Sequence, residues 1–170
     1  MAKSVTQRIA FRVLGIDPGL NITGYAVVDF LPGGGGEPKI VEAGAIRPDA
    51  KSGIGGRIRL IFDELTALLS EFRPDLVAVE KLYAHYKHPS TAILMGHARG
   101  VILLAAEQAG VGIRNLPATH VKKNLTGNGH ASKLQVQRAI QAVCHLSALP
   151  EPPDVADALA IALCAGRKGE

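Results

Sequence analysis

Four acidic residues in this 170-residue chain stand where solvent alone does not account for them. Asp154 and Asp157 sit three apart at the head of "DVADALAIA", and helical residues three apart share a face. Asp17 closes the apolar run "FRVLGID" just before Pro18-Gly19, and Glu80 ends "LVAVE", where strand propensity disfavours it. Local alternatives exist. Asp17 suits an Asx-type turn onto the backbone that follows. Glu80 could simply emerge into solvent where its strand stops. Asp154, just after prolines, suits a helix cap that also favours the positive end of the dipole. Asp157 lies one turn further in, and capping explains it least. Gathered in one place, the four carboxylates would repel one another and their pKa values would rise. A divalent cation removes that conflict. Oxygen-only donors without a His or Cys cluster point to Mg²⁺ or Mn²⁺ rather than Zn²⁺. Two such ions about 4 Å apart can activate a water and stabilise a leaving oxygen in phosphodiester hydrolysis. His85, His88, His97, His120, His130 and His145 are scattered, and none is assigned as a ligand.

The elements that must position these groups can be read along the chain. In the first strand Val13, Gly15 and Asp17 share one face, with Leu14 and Ile16 on the other. "TGYAVVDF" (23–30) and "KIVEAGAIR" (39–47) read as two more strands, joined by the Pro- and Gly-rich hairpin loop "LPGGGGEPK". No Lys-Ser/Thr pair follows the four glycines, which argues against a phosphate loop. Short links between three sequential strands predict an antiparallel meander. Ile54, Ile58, Ile61, Leu65, Leu68 and Phe72 recur at helical spacing, and Arg73-Pro74 ends that helix. "DLVAVE" (75–80) is a buried strand. "STAILMGHARGVILLAAEQAG" (90–110) predicts a second helix, opened by a Ser or Thr cap and closed by Gly110. Leu94, Ala98, Val101 and Ala105 form one apolar row on it, but Met95, Ile102 and Leu103 lie off that row, so burial on several sides is expected. Gly96, Ala98 and Gly100 would permit close approach, by the core or by a second copy of the chain. "VGIRNL" is a short strand, a helix starts at Pro117, and "TGNGHASK" is a basic loop ahead of a segment with Val136, Ile140 and Val143 on one face. The expected order is three strands, helix, strand, helix, strand, helix, helix. That is an α/β fold whose mixed sheet joins the meander to parallel crossovers. In open α/β sheets the crevice beyond the strand ends is the usual site, and Asp154 and Asp157 would look along that edge.

Composition sets the frame. Residues 1–170 suit a single domain, with 1–10 as an N-terminal extension, and a chain of this length buries roughly 70% of its unfolded surface. Hydrophobic residues make up 47% and charged ones 20%, a globular balance. Lys and Arg number 19 against 15 Asp and Glu, and the pI near 9.2 leans towards a polyanionic partner. Cys144 and Cys164 form no CxxC and read as reduced core residues. The first residues lack the apolar region of a signal peptide, and no apolar run reaches about 18 residues. A cytoplasmic protein with no membrane span is expected.

"GIDPGLNITGYAVV", "VAVEKLY", "MGHARGV", "VKKNLTGNGHASK" and "DVADALAIA" occur in an order and spacing that resemble the RuvC family of Holliday-junction resolvases. The resemblance extends over nearly the whole chain from about residue 11. The first piece alone is weak, since related nuclease and sugar-kinase folds share similar turns; the five together are specific. The N-terminal extension and the glycines at 33–36 are atypical of the family. The resemblance implies an RNase H-like fold, with a five-stranded mixed sheet flanked by helices. It also implies a homodimer that cuts two opposing strands of a four-way DNA junction symmetrically. Further implications are Mg²⁺ or Mn²⁺ as cofactor, 5′-phosphate and 3′-hydroxyl products, and work alongside a RuvA–RuvB branch-migration complex. The family's acidic quartet falls on Asp17, Glu80, Asp154 and Asp157. Asp17, on a central strand, is expected to bridge two ions. Glu80 would ligate one and Asp157 the other, with Asp154 completing the second or orienting water. Lys122 and Lys133 match basic positions that would contact phosphates, and Tyr83 matches an aromatic position that would stack on a junction base. A two-fold dimer suits a nearly two-fold junction, which moves the row Leu94, Ala98, Val101, Ala105 towards an interface. Arg99 would face either that interface or DNA.

Three competing functions fit less well. An RNA-processing nuclease of the same fold does not account for Tyr83 and the "TGNGHASK" loop. A sugar kinase or actin-like ATPase needs a second phosphate loop and a longer chain. A junction-binding module without catalysis would be expected to lack at least one of the four carboxylates.

Overall fold

A computed structural model describes residues 11–31, 36–82 and 89–167. Three strands come first: β1 (Phe11–Asp17), β2 (Thr23–Phe30) and β3 (Lys39–Ile46). They are followed by α1 (Ile54–Phe72), β4 (Leu76–Glu80), α2 (Pro89–Gln108) and β5 (Gly112–Leu116). Three helices rather than two then complete the fold: α3 (Ala118–Thr126), α4 (Lys133–Val143) and α5 (Pro153–Gly166). The extra break lies in the polar loop, where Gly127 takes a positive φ that ends α3 and Ser132 restarts a helix with a capping box to Gln135.

The sheet order is β3-β2-β1-β4-β5. β1 pairs antiparallel with β2, and β2 with β3, as the short links predict. β4 and β5 run parallel to β1, each reached through a helical crossover. This is the five-stranded mixed sheet expected from the sequence, with β1 at its centre.

Alternation along the strands divides the interior into two cores. Leu14 and Ile16 of β1 and Val77 and Val79 of β4 face α1 and α2, meeting Ile61, Leu65, Ala98, Ile102 and Ala105. Val13 of β1, Ala26 and Val28 of β2 and Ala78 of β4 face α5. That helix is buried almost throughout from Val155 to Ala165, so it forms the centre of the second core. Its Leu159, Ile161 and Leu163 are at most 1% exposed, and each such side chain contributes roughly 1.5–3 kcal/mol by leaving water. α3 and α4 cover its outer side through Val121, Val136 and Ile140.

α2 alone among the described helices has the length and composition of a membrane span. Its packing identifies it as a layer of the domain: Ala98, Ile102, Ala105 and Ala106 are buried against α1 and the sheet. Two expectations about this helix change. It begins at Pro89, so Ser90 and Thr91 lie in its first turn rather than at its cap. The row Leu94, Ala98, Val101, Ala105 is not one outward surface. Ala98 and Ala105 are 0% and 3% exposed in the chain's own core, which leaves them unavailable to a partner. The outward stripe is Ile93, Leu94, Gly96, Gly100 and Leu104, where a Cβ added at either glycine would meet nothing.

Candidate active site

Strand register brings the first two carboxylates together. Gly15 pairs with Ala78 and Ile16 with Val79 across the parallel β1–β4 boundary. One step on, Asp17 and Glu80 end neighbouring strands on the face shared by Val13, Gly15 and Ala78. The turn after Asp17 is closed by Thr23, whose hydroxyl donates to the Gly19 carbonyl (2.6 Å), rather than by an Asx turn of Asp17. Arg57 of α1 clamps the same turn by donating to Leu20 O (3.0 Å) and to Asn21 Oδ1.

α5 supplies the other two. Its N-cap is Pro152 with no side-chain cap, and Pro153 stands at the first helical position. Asp154 is therefore a first-turn residue near the positive helix end, not the cap. The helix start lies against β2 at Gly24, which pairs with Asp17. A Cβ at position 24 would overlap the Asp154 carbonyl oxygen and stand 3.2 Å from the Asp154 Cβ. A Cβ at Gly15 would stand 2.6 Å from Ala162 N and 2.8 Å from Ala162 Cβ. Two side-chain-free positions thus let α5 lie directly on the sheet, with its acidic first turn over the end of β1.

The electrostatics follow from that crowding. Burial raises the Asp17 carboxyl well above the usual carboxylate range, and the charges of Asp157, Glu80 and Asp154 raise it further against the opposing pull of Lys133. Glu80 is raised by burial and then by Asp157, while Lys122 and Lys133 pull it down. Asp157 is raised by burial, opposed by Lys133, pushed up by Asp154 and pulled down by Lys122. All four acidic residues singled out from the sequence therefore interact, and both lysines reach the group. Lys133, at the first position of α4, points its Nζ to within 4.0 Å of Asp157 Oδ2. Among the described residues no three acidic, His or Cys side chains stand close enough for a closed metal cage. The carboxylates form an open group, negative and oxygen-only, and that donor chemistry fits a hard divalent cation.

The loop carrying Lys133 is internally ordered. Asn128 Oδ1 accepts from His130 N (2.9 Å), and Ser132 N donates to Gln135 Oε1 (2.8 Å). Tyr83, the predicted stacking residue, lies outside the described residues, as do residues 1–10 and Gly33, Gly34 and Gly35. Arg99, which the sequence left open between an interface and DNA, donates to Asn115 Oδ1 and through Nε to Glu80 O (3.4 Å). Gly24 was not singled out from the sequence; only the register of β1 with β2 reveals that it abuts Asp154.

A family model described as crossover junction endodeoxyribonuclease RuvC matches residues 13–165. A curated relative of that name from Rhodopirellula baltica is 49% identical over 152 residues, covering 89% of this chain and 84% of its own. The fold matches a Thermus thermophilus RuvC structure with a TM-score of 0.80 at 33% identity, covering 90% of this chain and 92% of that one. It also matches T. thermophilus RuvC in complex with a Holliday junction substrate, with a TM-score of 0.83 at 31% identity and coverage of 92% and 93%.

Proposed function

The chain belongs to the RuvC family of crossover junction endodeoxyribonucleases and is a Holliday-junction resolvase, and from that premise we propose how its residues divide the work. Asp17, Glu80, Asp154 and Asp157 hold divalent cations, Mg²⁺ with Mn²⁺ as a substitute, two per site. The observation that carries this reading is the end-to-end alignment of Asp17 and Glu80 on paired strands, with the acidic first turn of α5 laid over them. Asp17, at the end of the central strand, would be shared by the ions; Glu80 would serve one and Asp157 the other, and Asp154 would complete the second or orient water. When bound, such ions supply Lewis acidity that activates water and stabilises the leaving 3′ oxygen. Bound cations would relieve the mutual repulsion of the carboxylates.

Lys133 Nζ lies 4.0 Å from Asp157 Oδ2. Its ammonium would contact a backbone phosphate beside the carboxylates, and Lys122 reaches the same region from α3. Phosphate contacts of this kind hold the strand in place without reading its sequence. Tyr83, three residues past Glu80, stacks on an opened junction base. Two copies pair through the outward stripe of α2, so that two sites meet two opposing strands and leave 5′-phosphate and 3′-hydroxyl ends. A RuvA–RuvB assembly is the proposed partner in branch migration.

The test is Asp157→Asn. It should bind a four-way junction as the parent does and lose cleavage by more than the ~10–100-fold typical of an outer-shell change at a metal site. Lost junction binding with unchanged metal affinity by calorimetry would assign Asp157 to DNA contact or folding instead.

A further inference from the structure

Glu80 needs more support than Asp17. β1 lies at the centre of the sheet between β2 and β4, whereas β4 lies between β1 and β5, a five-residue edge strand. Among the described residues the backbone bond nearest this end is from Lys81 N to Leu116 O (2.8 Å), and strand ends beside an edge are where sheets open most readily. Beyond residue 80 the chain leaves the sheet. A second anchor at this strand end would help keep the Glu80 backbone in register with Asp17.

Arg99 supplies a contact of that kind. It projects from α2 on the side of the sheet opposite α5, since its neighbours Ala98 and Ile102 belong to the α1–α2 core. The guanidinium donates to the backbone carbonyl of Glu80 and to the side chain of Asn115, the residue before Leu116. One planar fork thus joins the ends of β4 and β5 to a rigid helix. Arg suits this because its donors are fixed in a plane, while a Lys ammonium is a single flexible point. The contact is made to the backbone carbonyl of Glu80, not to its carboxylate.

We propose that Arg99 is a positioning residue: by tying the Glu80 carbonyl and Asn115 to α2, it holds the Glu80 carboxylate in place for metal binding. The proposal rests on the reading of Glu80 as a metal ligand, but its first readout does not depend on that reading.

The experiment compares Arg99→Gln, Arg99→Lys and Asn115→Ala with the parent chain. In metal-free protein, amide hydrogen exchange at Lys81 should speed up by about 10-fold or more in Arg99→Gln, while Val77 and Val79 stay protected. Calorimetry with Mn²⁺ should show affinity weakened by ~10-fold, the low end for support of a metal ligand. The Mg²⁺ concentration for half-maximal cleavage should rise with it, and metal-free junction binding should not change. Arg99→Lys should fall between Arg99→Gln and the parent. Asn115→Ala should add little in the Arg99→Gln background, because the two share one tether. Unchanged exchange at Lys81 would overturn the proposal. So would faster exchange across the whole sheet, which marks general loosening, or reduced junction binding with metal affinity intact, which marks a DNA contact. If the parent binds no Mn²⁺ at all, the metal-ligand reading fails, while the exchange result still decides whether Arg99 anchors the strand end.

Discussion

At the residue scale, Asp17 shows why the acidic group needs a cation. Its carboxyl is buried and faces three other carboxylates, so its folded pKa lies well above the unfolded one. Such a group stabilises the fold below the unfolded value of about 4 and loses that contribution as pH rises through the folded value. Glu80 and Asp157 shift in the same direction and add to the effect. Metal-free Asp17→Asn should therefore melt a few degrees above the parent at pH 8, at about 2–4 °C per kcal/mol for a domain of this size, and the gap should narrow at pH 5. Adding Mg²⁺ should raise the melting temperature of the parent more than that of the variant. Thermal melts at the two pH values check this, and equal destabilisation at both would contradict it. These residues were legible in the sequence because each breaks a local pattern: Glu at the end of an apolar strand, and Asp inside an apolar helix. The exact role of Asp154 was less legible. A helix start after several prolines moves by a residue without any change in composition, and that residue decides between cap and first turn.

At the scale of elements, α5 must lie against the sheet for its carboxylates to reach Asp17, and Gly24 and Gly15 permit this. Gly24→Ala tests the point. In an exposed, unstrained strand position the change would be mildly stabilising through the unfolded state. Here the Cβ meets the Asp154 backbone, so a loss of about 1–3 kcal/mol is expected, together with weaker metal binding. Chemical denaturation and calorimetry measure the two effects, and a stabilised variant with normal metal affinity would refute the seating argument. The strand faces followed from period-two alternation: Val13, Gly15 and Asp17 on one side, Leu14 and Ile16 on the other, as the structure has them. The faces of α2 did not follow. A helix apolar on most sides gives no phase to its periodicity, so the row through Ala98 and Ala105 looked like a surface until the positions of α1 and the sheet fixed which side was inside. Arg99 was illegible for a related reason, because its partners at 80 and 115 are set by the pairing of β4 with β5.

At the scale of the whole molecule, the outward stripe of α2 leaves Ile93, Leu94 and Leu104 at 62%, 41% and 49% exposure around two open glycines. An exposed apolar cluster on a basic nuclease, interrupted by His97, suits a second copy. Leu104→Asp should keep its melting temperature and run as a monomer by light scattering, whereas Ala98→Asp should unfold, because it places an unpaired charge in a site with no exposure. A Leu104→Asp dimer of normal affinity would move the interface elsewhere. The order of elements along the chain has another consequence. The helix that fills the centre of one core is α5, which follows every other described element in chain order, and it brings half of the acidic group with it. Until residues 153–166 are available, one face of the sheet has nothing to pack on and Asp17 and Glu80 face water alone. A DNA-cutting site assembled in this way is silent on a chain that has not yet added α5, and cutting competence arrives in the same step that fills this core.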